Sequence, residues 1–296
     1  MSDYLLKAIS RSGAIRGYAA ITTDFVNEAY KRSEPASLSG VMLGRALTAG
    51  ALMGGLVKDR ERIALRFEGN GPIGSISVES DGHGRLRGSM KNSSVDFVEG
   101  EDSLSIQLKK SIGAAGVLTV SKDLGLKEPY RGTVQLVSGE IGEDVAYYLT
   151  ESEQLPSAVS VGVIPSADGK SVDVAGGFLI QVIPSHGGNA ASEEANIESI
   201  NEMVGYLGSV LTHFKNGGTP ETLLSKLFIE VPYTELTKTP LEYHCGCSHD
   251  SLLKAIAVLG AQEIESLAEQ EGETEVICQF CKKKYYYSMD DFRTLI

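Results

Sequence analysis

A chain of 296 residues with 27 basic against 39 acidic side chains carries a formal net charge of -12, which repels nucleic acid unless a local basic patch overrides it. With 42% hydrophobic and 22% charged residues, it reads as a soluble globular protein of two or three domains. The N-terminal MSDYLLKAIS lacks the features of a signal peptide, so the expected compartment is the cytoplasm, where thiols stay reduced.

In chain order, residues 3 to 21 alternate as two strands around Ser12 and Gly13, a hairpin signal. Thr22, Thr23 and Asp24 offer N-caps for a helix through about Arg32, ended by Pro35. Residues 38 to 57, LSGVMLGRALTAGALMGGLV, are apolar, with Gly40, Gly44, Gly50 and Gly54 at the small-xxx-small spacing of packed membrane helices. Arg45 inside that run would cost about 2.5 to 3.5 kcal/mol in a bilayer, and no second span follows. The segment reads as a buried core helix whose glycines let neighbours approach closely. Strand-like runs follow at 62–68, 73–80, 84–90, 104–108, 116–121 and 131–137, separated by turn clusters such as GNGP and SDGHG. A helix around 140–152 precedes strands near 158–164 and 175–183. The expected class is α+β, with helices and a mostly antiparallel sheet in a core domain over 1–185.

HGGNAA at 186–191 reads as a linker. Ile197, Ile200, Met203, Val204, Leu207, Val210, Leu211 and Phe214 recur at helical spacing, which predicts one amphipathic helix capped by Ser192 and stopped at Asn216 to Gly218. Thr219 and Pro220 start a second helix burying Leu223, Leu224, Leu227 and Phe228. PYTELTKTP shows no helical period and predicts an extended or loosely ordered connection. These elements form a helical middle segment and linker over 186–240, before a small C-terminal domain over 241–296.

Gly69, Gly71 and Gly74 match the spacing of a dinucleotide-binding turn, but Pro72 and the strand-like IGSISVES favour a simple hairpin turn. No phosphate loop or nucleophile elbow occurs, and the histidines at 83, 186, 213, 244 and 249 show no H-x-x-x-H pairing. No enzyme active site is expected.

All four cysteines lie in the C-terminal domain, as Cys245-x-Cys247 and Cys278-x-x-Cys281. Two close pairs separated by a segment able to fold back suit one tetrahedral all-thiolate zinc site. Cys245 and Cys247, at i and i+2 of an extended strand, face one side. His244 and His249 are possible rival ligands. Between the pairs, two short helices (248–260 and 261–272) are expected, then strands around 274–278 and 284–287 and a last helix opened by Ser288. Two readings stay open at this point. One is a structural zinc ribbon. The other is a redox device, in which a metal-bound thiolate is oxidised to a sulfenic acid that a neighbouring cysteine resolves as a disulfide.

The sequence resembles the redox-regulated heat-shock protein 33 family, the 33 kDa chaperonins. The resemblance rests on CGCS at 245–248, CQFC at 278–281 followed by Tyr285, TTDFVNEA near the N-terminus, GNGPIG at 69–74, YYLTESEQLPS at 147–157 and AGGFLIQVIP at 175–184. These run in family order over nearly the whole chain. Asn70 departs from the glycine usual in the family's GGGP turn, which leaves the cysteines untouched. The resemblance implies a cytoplasmic, ATP-independent holdase of the oxidative stress response. Its reduced form is inactive and holds one Zn2+ per chain on Cys245, Cys247, Cys278 and Cys281. Oxidation then pairs Cys245 with Cys247 and Cys278 with Cys281, releases zinc and unfolds the adjoining linker. The active form captures unfolding client proteins and forms a homodimer; no membrane or nucleic-acid partner is expected. The alternative is a constitutive module binding RNA or ribosomes through Lys282, Lys283 and Lys284, with zinc as scaffolding only.

Overall fold

The fold is given by a computed structural model that describes residues 2–100, 102–184, 190–259, 261–268 and 273–295. The chain forms two compact units, Met1–Tyr243 and His244–Ile296.

In the first unit, β1 (Tyr4–Ser10) and β2 (Ile15–Ile21) make the expected hairpin, with Tyr4 opposite Ile21 and Gly13 at φ 76° in the turn. The next helix, α1 (Thr23–Ser33), is not capped by the Thr22 side chain, which instead lies 2.8 Å from the Thr48 hydroxyl. Asp3 supplies the missing acceptor: its carboxylate takes the Phe25 N–H at 2.7 Å. The apolar run forms α2 (Ser37–Gly54), in which every residue except Ser37 and Arg45 is buried. Arg45 pairs with Glu140 at 2.5 Å. The α2 glycines do permit close approach: a Cβ on Gly44 would lie 2.8 Å from Val163, and one on Gly50 would collide with Val78. Among the described residues, no helix is long and apolar enough to cross a membrane.

β3 (Arg62–Gly69), β4 (Ser75–Asp81) and β5 (Arg85–Met90) form a meander. The G-x-G-x-x-G stretch is the β3–β4 turn, and there Gly71 and Ile73 donate their N–H groups to Ile112 and Ser111 carbonyls at 2.7 and 3.0 Å. These carbonyls end α3 (Leu104–Ile112), the segment expected to begin as a strand. The helix prevails because Leu108, Ser111 and Ile112 bury one helical stripe, whereas Leu104 and Ile106 stay exposed. Then come β6 (Gly116–Asp123), β7 (Tyr130–Gln135), α4 (Ile141–Glu151), β8 (Ser157–Pro165) and β9 (Val172–Val182).

Of the expected linker at 186–191, residues 186–189 lie outside the described residues, and Ala190 already opens α5 (Ala190–Leu207). The single helix expected through Phe214 is two. Gly208 turns at φ 67°, and the Ser209 hydroxyl then caps α6 (Val210–Lys215) by accepting the Thr212 N–H at 3.2 Å. Thr219 and Thr222 form a capping box at α7 (Pro220–Leu227). PYTELTKTP is extended: β10 (Tyr233–Pro240) pairs antiparallel with β1, and β11 (Glu242–Tyr243) follows, parallel to β5.

The strands form two sheets, β10-β1-β2-β9-β8 and β11-β5-β4-β3-β6-β7, antiparallel except for β11 on β5. Helix α2 packs against strands of both. The other face of the five-stranded sheet holds a second core. There Leu6, Ala8, Ile15, Ala19, Phe178 and Ile180 meet Ile200, Met203, Leu207, Phe214, Leu223, Leu224, Leu227 and Phe228 of the middle helices. Odd positions of β2 face these helices and even ones face α2, the period-two alternation of a sheet buried on both sides.

The second unit has α8 (His249–Ile256), a 3-10 turn (Ala257–Leu259), α9 (Ala261–Ala268), the hairpin of β12 (Thr274–Ile277) and β13 (Lys284–Tyr287), and α10 (Met289–Arg293). Its core among the described residues is Ile264, Cys278, Phe280, Tyr285, Tyr287 and Phe292.

Candidate metal centre

Each cysteine is placed by local backbone chemistry. Cys245 and Cys247 sit on the extended segment before α8, whose start is fixed by reciprocal bonds between Ser248 and Ser251: the Ser251 N–H donates to the Ser248 hydroxyl at 3.1 Å, and the Ser248 N–H to the Ser251 hydroxyl at 2.7 Å. Cys278 and Cys281 occupy the turn between β12 and β13. The Cys278 N–H donates to the Lys283 carbonyl and the Lys282 N–H to the Cys278 carbonyl, both at 2.9 Å. Closing so tight a turn puts Lys282 in the left-handed region at φ 59°, a conformation that suits glycine better.

The four sulfurs all lie within 4.8 Å of one another. Cys245 Sγ is 3.7 Å from Cys278 Sγ, and Cys247 Sγ is 3.4 Å from Cys281 Sγ. A tetrahedral site with Zn–S distances of ~2.3 Å has sulfur–sulfur edges of about 3.8 Å, so the donor set fits such an ion in number, chemistry and spacing. None of the four cysteines is in a disulfide, which needs its sulfurs at about 2.05 Å; Cys278 is buried and the others half-buried. Neither rival histidine joins the cluster among the described residues. His249 instead stacks on Tyr287 with ring centroids 4.2 Å apart.

A layer of tyrosines supports the sulfurs. The Tyr285 hydroxyl donates to the Cys247 carbonyl at 3.0 Å and lies 3.2 Å from Cys247 Sγ. Tyr287, fully buried, donates to the His249 carbonyl at 2.8 Å. Burial pushes the Cys247 thiol up, but the Tyr285 hydroxyl and the three neighbouring sulfurs outweigh it and hold the group down at about 7. At Cys281 burial prevails, and the surrounding thiols add to it, pushing it up to about 12. Sequence reasoning missed Tyr287; the signal was the alternation of KYYY, in which Tyr285 and Tyr287 point inward and Tyr286 outward. Of the three lysines, Lys284 pairs with Glu275 at 3.0 Å and Lys283 lies over the Tyr285 ring at 5.0 Å.

A two-unit α+β chain with a four-thiol cluster in its small C-terminal unit defines a class of candidate metal-centred proteins. Comparison with known proteins narrows it. The family model described as Hsp33 protein matches residues 3–288. The 33 kDa chaperonin of Geobacter sulfurreducens is 43% identical over 295 residues, covering 100% of this chain and 95% of its relative. That of Desulfotalea psychrophila is 41% identical, covering 100% and 98%. The crystal structure of the 33 kDa chaperonin (heat shock protein 33 homolog) from Thermotoga maritima superposes with a TM-score of 0.85 at 33% identity, covering 100% of this chain and 98% of that one. The chain belongs to the Hsp33 family of chaperones.

Proposed function

We propose that this protein is a redox-regulated, ATP-independent holdase of the cytoplasm, inactive while reduced and metal-loaded. The observation carrying this reading is the set of four sulfurs within 4.8 Å of one another and not joined in disulfides, in a unit whose own apolar core is small. Zinc, once bound, would hold Cys245, Cys247, Cys278 and Cys281 as thiolates and cross-link the two ends of this unit, contributing ~10 to 16 kcal/mol of apparent binding free energy to such a fold.

Oxidation proceeds in two balanced steps at each pair. One thiol reduces hydrogen peroxide to water and becomes a sulfenic acid; its neighbour then attacks that sulfur, forming the disulfide and expelling a second water. Cys245 pairs with Cys247, and Cys278 with Cys281. Each disulfide takes two donors from the cluster, so the unit loses its cross-link. The segment 186–240 acts as the separable middle part of a three-part chain, 1–185, 186–240 and 241–296. Its release bares the sheet face now covered by Phe214, Leu224 and Phe228, and that apolar surface holds unfolding clients, the active form being a homodimer.

The test is light scattering of a thermally unfolding client, with this protein added reduced and zinc-loaded or after peroxide treatment at elevated temperature. Suppression by the oxidised sample alone is expected. Equal suppression by both, or by neither, would overturn the switch and leave the metal as scaffolding.

A further inference from the structure

The face of the five-stranded sheet beneath the middle helices is not a smooth apolar surface. It carries three glycines, Gly17 on β2, Gly176 on β9 and Gly162 on β8, each with an apolar side chain seated where a Cβ would be. A Cβ on Gly17 would lie 2.6 Å from the Phe228 ring and 3.3 Å from Leu224; one on Gly176, 2.6 Å from the Phe214 ring; one on Gly162, 2.6 Å from Leu211. None of the three has a left-handed φ, so the backbone conformation does not call for glycine; at Gly176 a Cβ would also meet the Ala20 carbonyl at 2.7 Å, whereas at Gly17 and Gly162 it would meet side chains alone. Glycine inside a strand weakens it, and its physical use there is the close approach of another group. Gly162 and Gly176 are directly opposed in the β8–β9 ladder, and Leu211 and Phe214, three residues apart on α6, descend together onto that pair.

We infer that these glycines form side-chain sockets for unfolded segments bearing phenylalanine or leucine, and that Phe228, Phe214 and Leu211 are built-in plugs occupying the client's place. This rests on the proposed release of the middle segment and names what the bared face recognises. The sockets take branched or aromatic side chains because those are the shapes they already hold, with Phe228 3% and Phe214 5% exposed. Their spacing adds a second requirement. Gly17 is opposite Ile180, hence one strand across and four residues along from Gly176, a separation of about 14 Å that four residues of extended chain span. A client segment with phenylalanines four residues apart therefore reaches both. While the middle helices are folded, all plugs are presented at once and exclude it. Once they unfold, each plug is held only by its tether, and a segment offering several apolar side chains competes with it.

The test opens the sockets without touching a cysteine. In the reduced full-length chain, Phe228→Ala, Phe214→Ala and Leu211→Ala are combined to undock the middle helices from the sheet, with hydrogen exchange checking that α5 to α7 open while α2 stays protected. Binding is read by fluorescence anisotropy of a labelled polar peptide with two phenylalanines four residues apart. The plug variant is expected to bind it and the unmodified reduced protein not to. Replacing the two phenylalanines by serine, or adding Gly17→Ala and Gly162→Ala to the variant, each of which fills a socket without meeting neighbouring backbone, should weaken binding roughly tenfold or more. Equal binding of both peptides, or affinity unchanged by the glycine substitutions, would overturn the sockets. Should the plug variant not fold, the peptide is tested as a competitor of client capture by the oxidised protein. Suppression of aggregation that the phenylalanine peptide does not relieve overturns the sockets while the holdase reading stands. Glycine-dependent binding by the plug variant, with no chaperone activity on oxidation, supports the sockets and removes the redox switch.

Discussion

Tyr4, Glu221 and Lys238 tie together β1, α7 and β10, and their coupling can be measured. The Tyr4 hydroxyl donates to Glu221 Oε2 at 2.5 Å, Lys238 Nζ lies 3.1 Å from Glu221 Oε1, and the same ammonium sits 3.6 Å above the Tyr4 ring. Tyr4→Phe deletes the hydroxyl and leaves the ring under Lys238. The lost bond is charge-assisted and its donor residue is 8% exposed, so it contributes about 1.5 to 3 kcal/mol. The Lys238 pair is half-exposed and worth at most ~1 kcal/mol. Glu221→Gln neutralises the acceptor of both contacts, so Tyr4→Phe in that background should cost less than in the parent, with a coupling energy of about 1 to 2 kcal/mol. Because the chain has two units, a single unfolding free energy is ill-defined. The assay is therefore hydrogen exchange of the amides in β10 and α7 of the reduced protein, where each single change should speed opening roughly tenfold or more. The pH dependence has a definite sign. Burial alone would raise the Glu221 carboxyl, but the Tyr4 hydroxyl, the backbone, Thr219 and Lys238 together hold it down at about 2. Its contribution is thus fully present above the ordinary carboxylate range near 4.5 and is lost as pH falls toward about 2. Strictly additive single effects on exchange would refute the latch.

Tyr285→Phe removes the hydroxyl from the Cys247 carbonyl and sulfur and should weaken zinc binding ten- to a hundredfold with four cysteines intact, read by chelator competition; unchanged affinity would show that the hydroxyl does not orient the ligand. Lys282→Gly relieves the left-handed backbone at φ 59° and should stabilise the reduced, zinc-loaded second unit by roughly 1 kcal/mol, visible as a higher thermal midpoint of that unit. Serine at all four cysteines should abolish zinc binding measured by metal analysis and make client capture indifferent to peroxide. Stripping the metal with a chelator should collapse the tyrosine near-UV signal of the second unit and leave the hydrogen-exchange protection of α2 in place.

Much of this architecture is legible in the sequence because it is carried by local chemistry. The apolar run with Arg45 describes a core helix, Thr219 and Pro220 start α7, and the two cysteine pairs with intervening caps lay out the second unit. The errors share a cause, which is that tertiary partners decided the outcome. Leu104, Ile106 and Leu108 alternate like a strand, yet only Leu108 of the three is buried, and the turn at Gly71 and Ile73 satisfies the helix end that the sequence does not advertise. The apolar stripe from Ile197 to Phe214 continues across a real break, for which Gly208 and Ser209 were the only local sign. β10 has mostly exposed side chains and is held by backbone pairing to β1, so it carries no alternation to read. The glycines at 17, 162 and 176 are equally silent until the side chains above them are known.

The distribution of cores explains why a cysteine switch is mechanically feasible here. The first unit has two: one around α2, built from both sheets, and one between the five-stranded sheet and the middle helices. The second can be lost without dismantling the first, since the β2 residues facing α2, Tyr18 and Ala20, belong to a different layer from Ile15 and Ala19, which face the helices. The C-terminal unit has no such reserve; at its size a staple is normally needed, and its four sulfurs are the only group of potential metal-binding side chains among the described residues. On the proposed reading, oxidation therefore acts where stability depends most on few bonds, while the sheet that would receive a client keeps its support from the opposite face. A stable scaffold joined in one chain to a unit that the proposed metal would hold together makes the response local, and it predicts that α2 amides keep their hydrogen-exchange protection in the oxidised, client-binding state. Loss of that protection together with that of α5 to α7 would mean that the whole first unit melts, and the sheet face could not then act as a preformed binding surface.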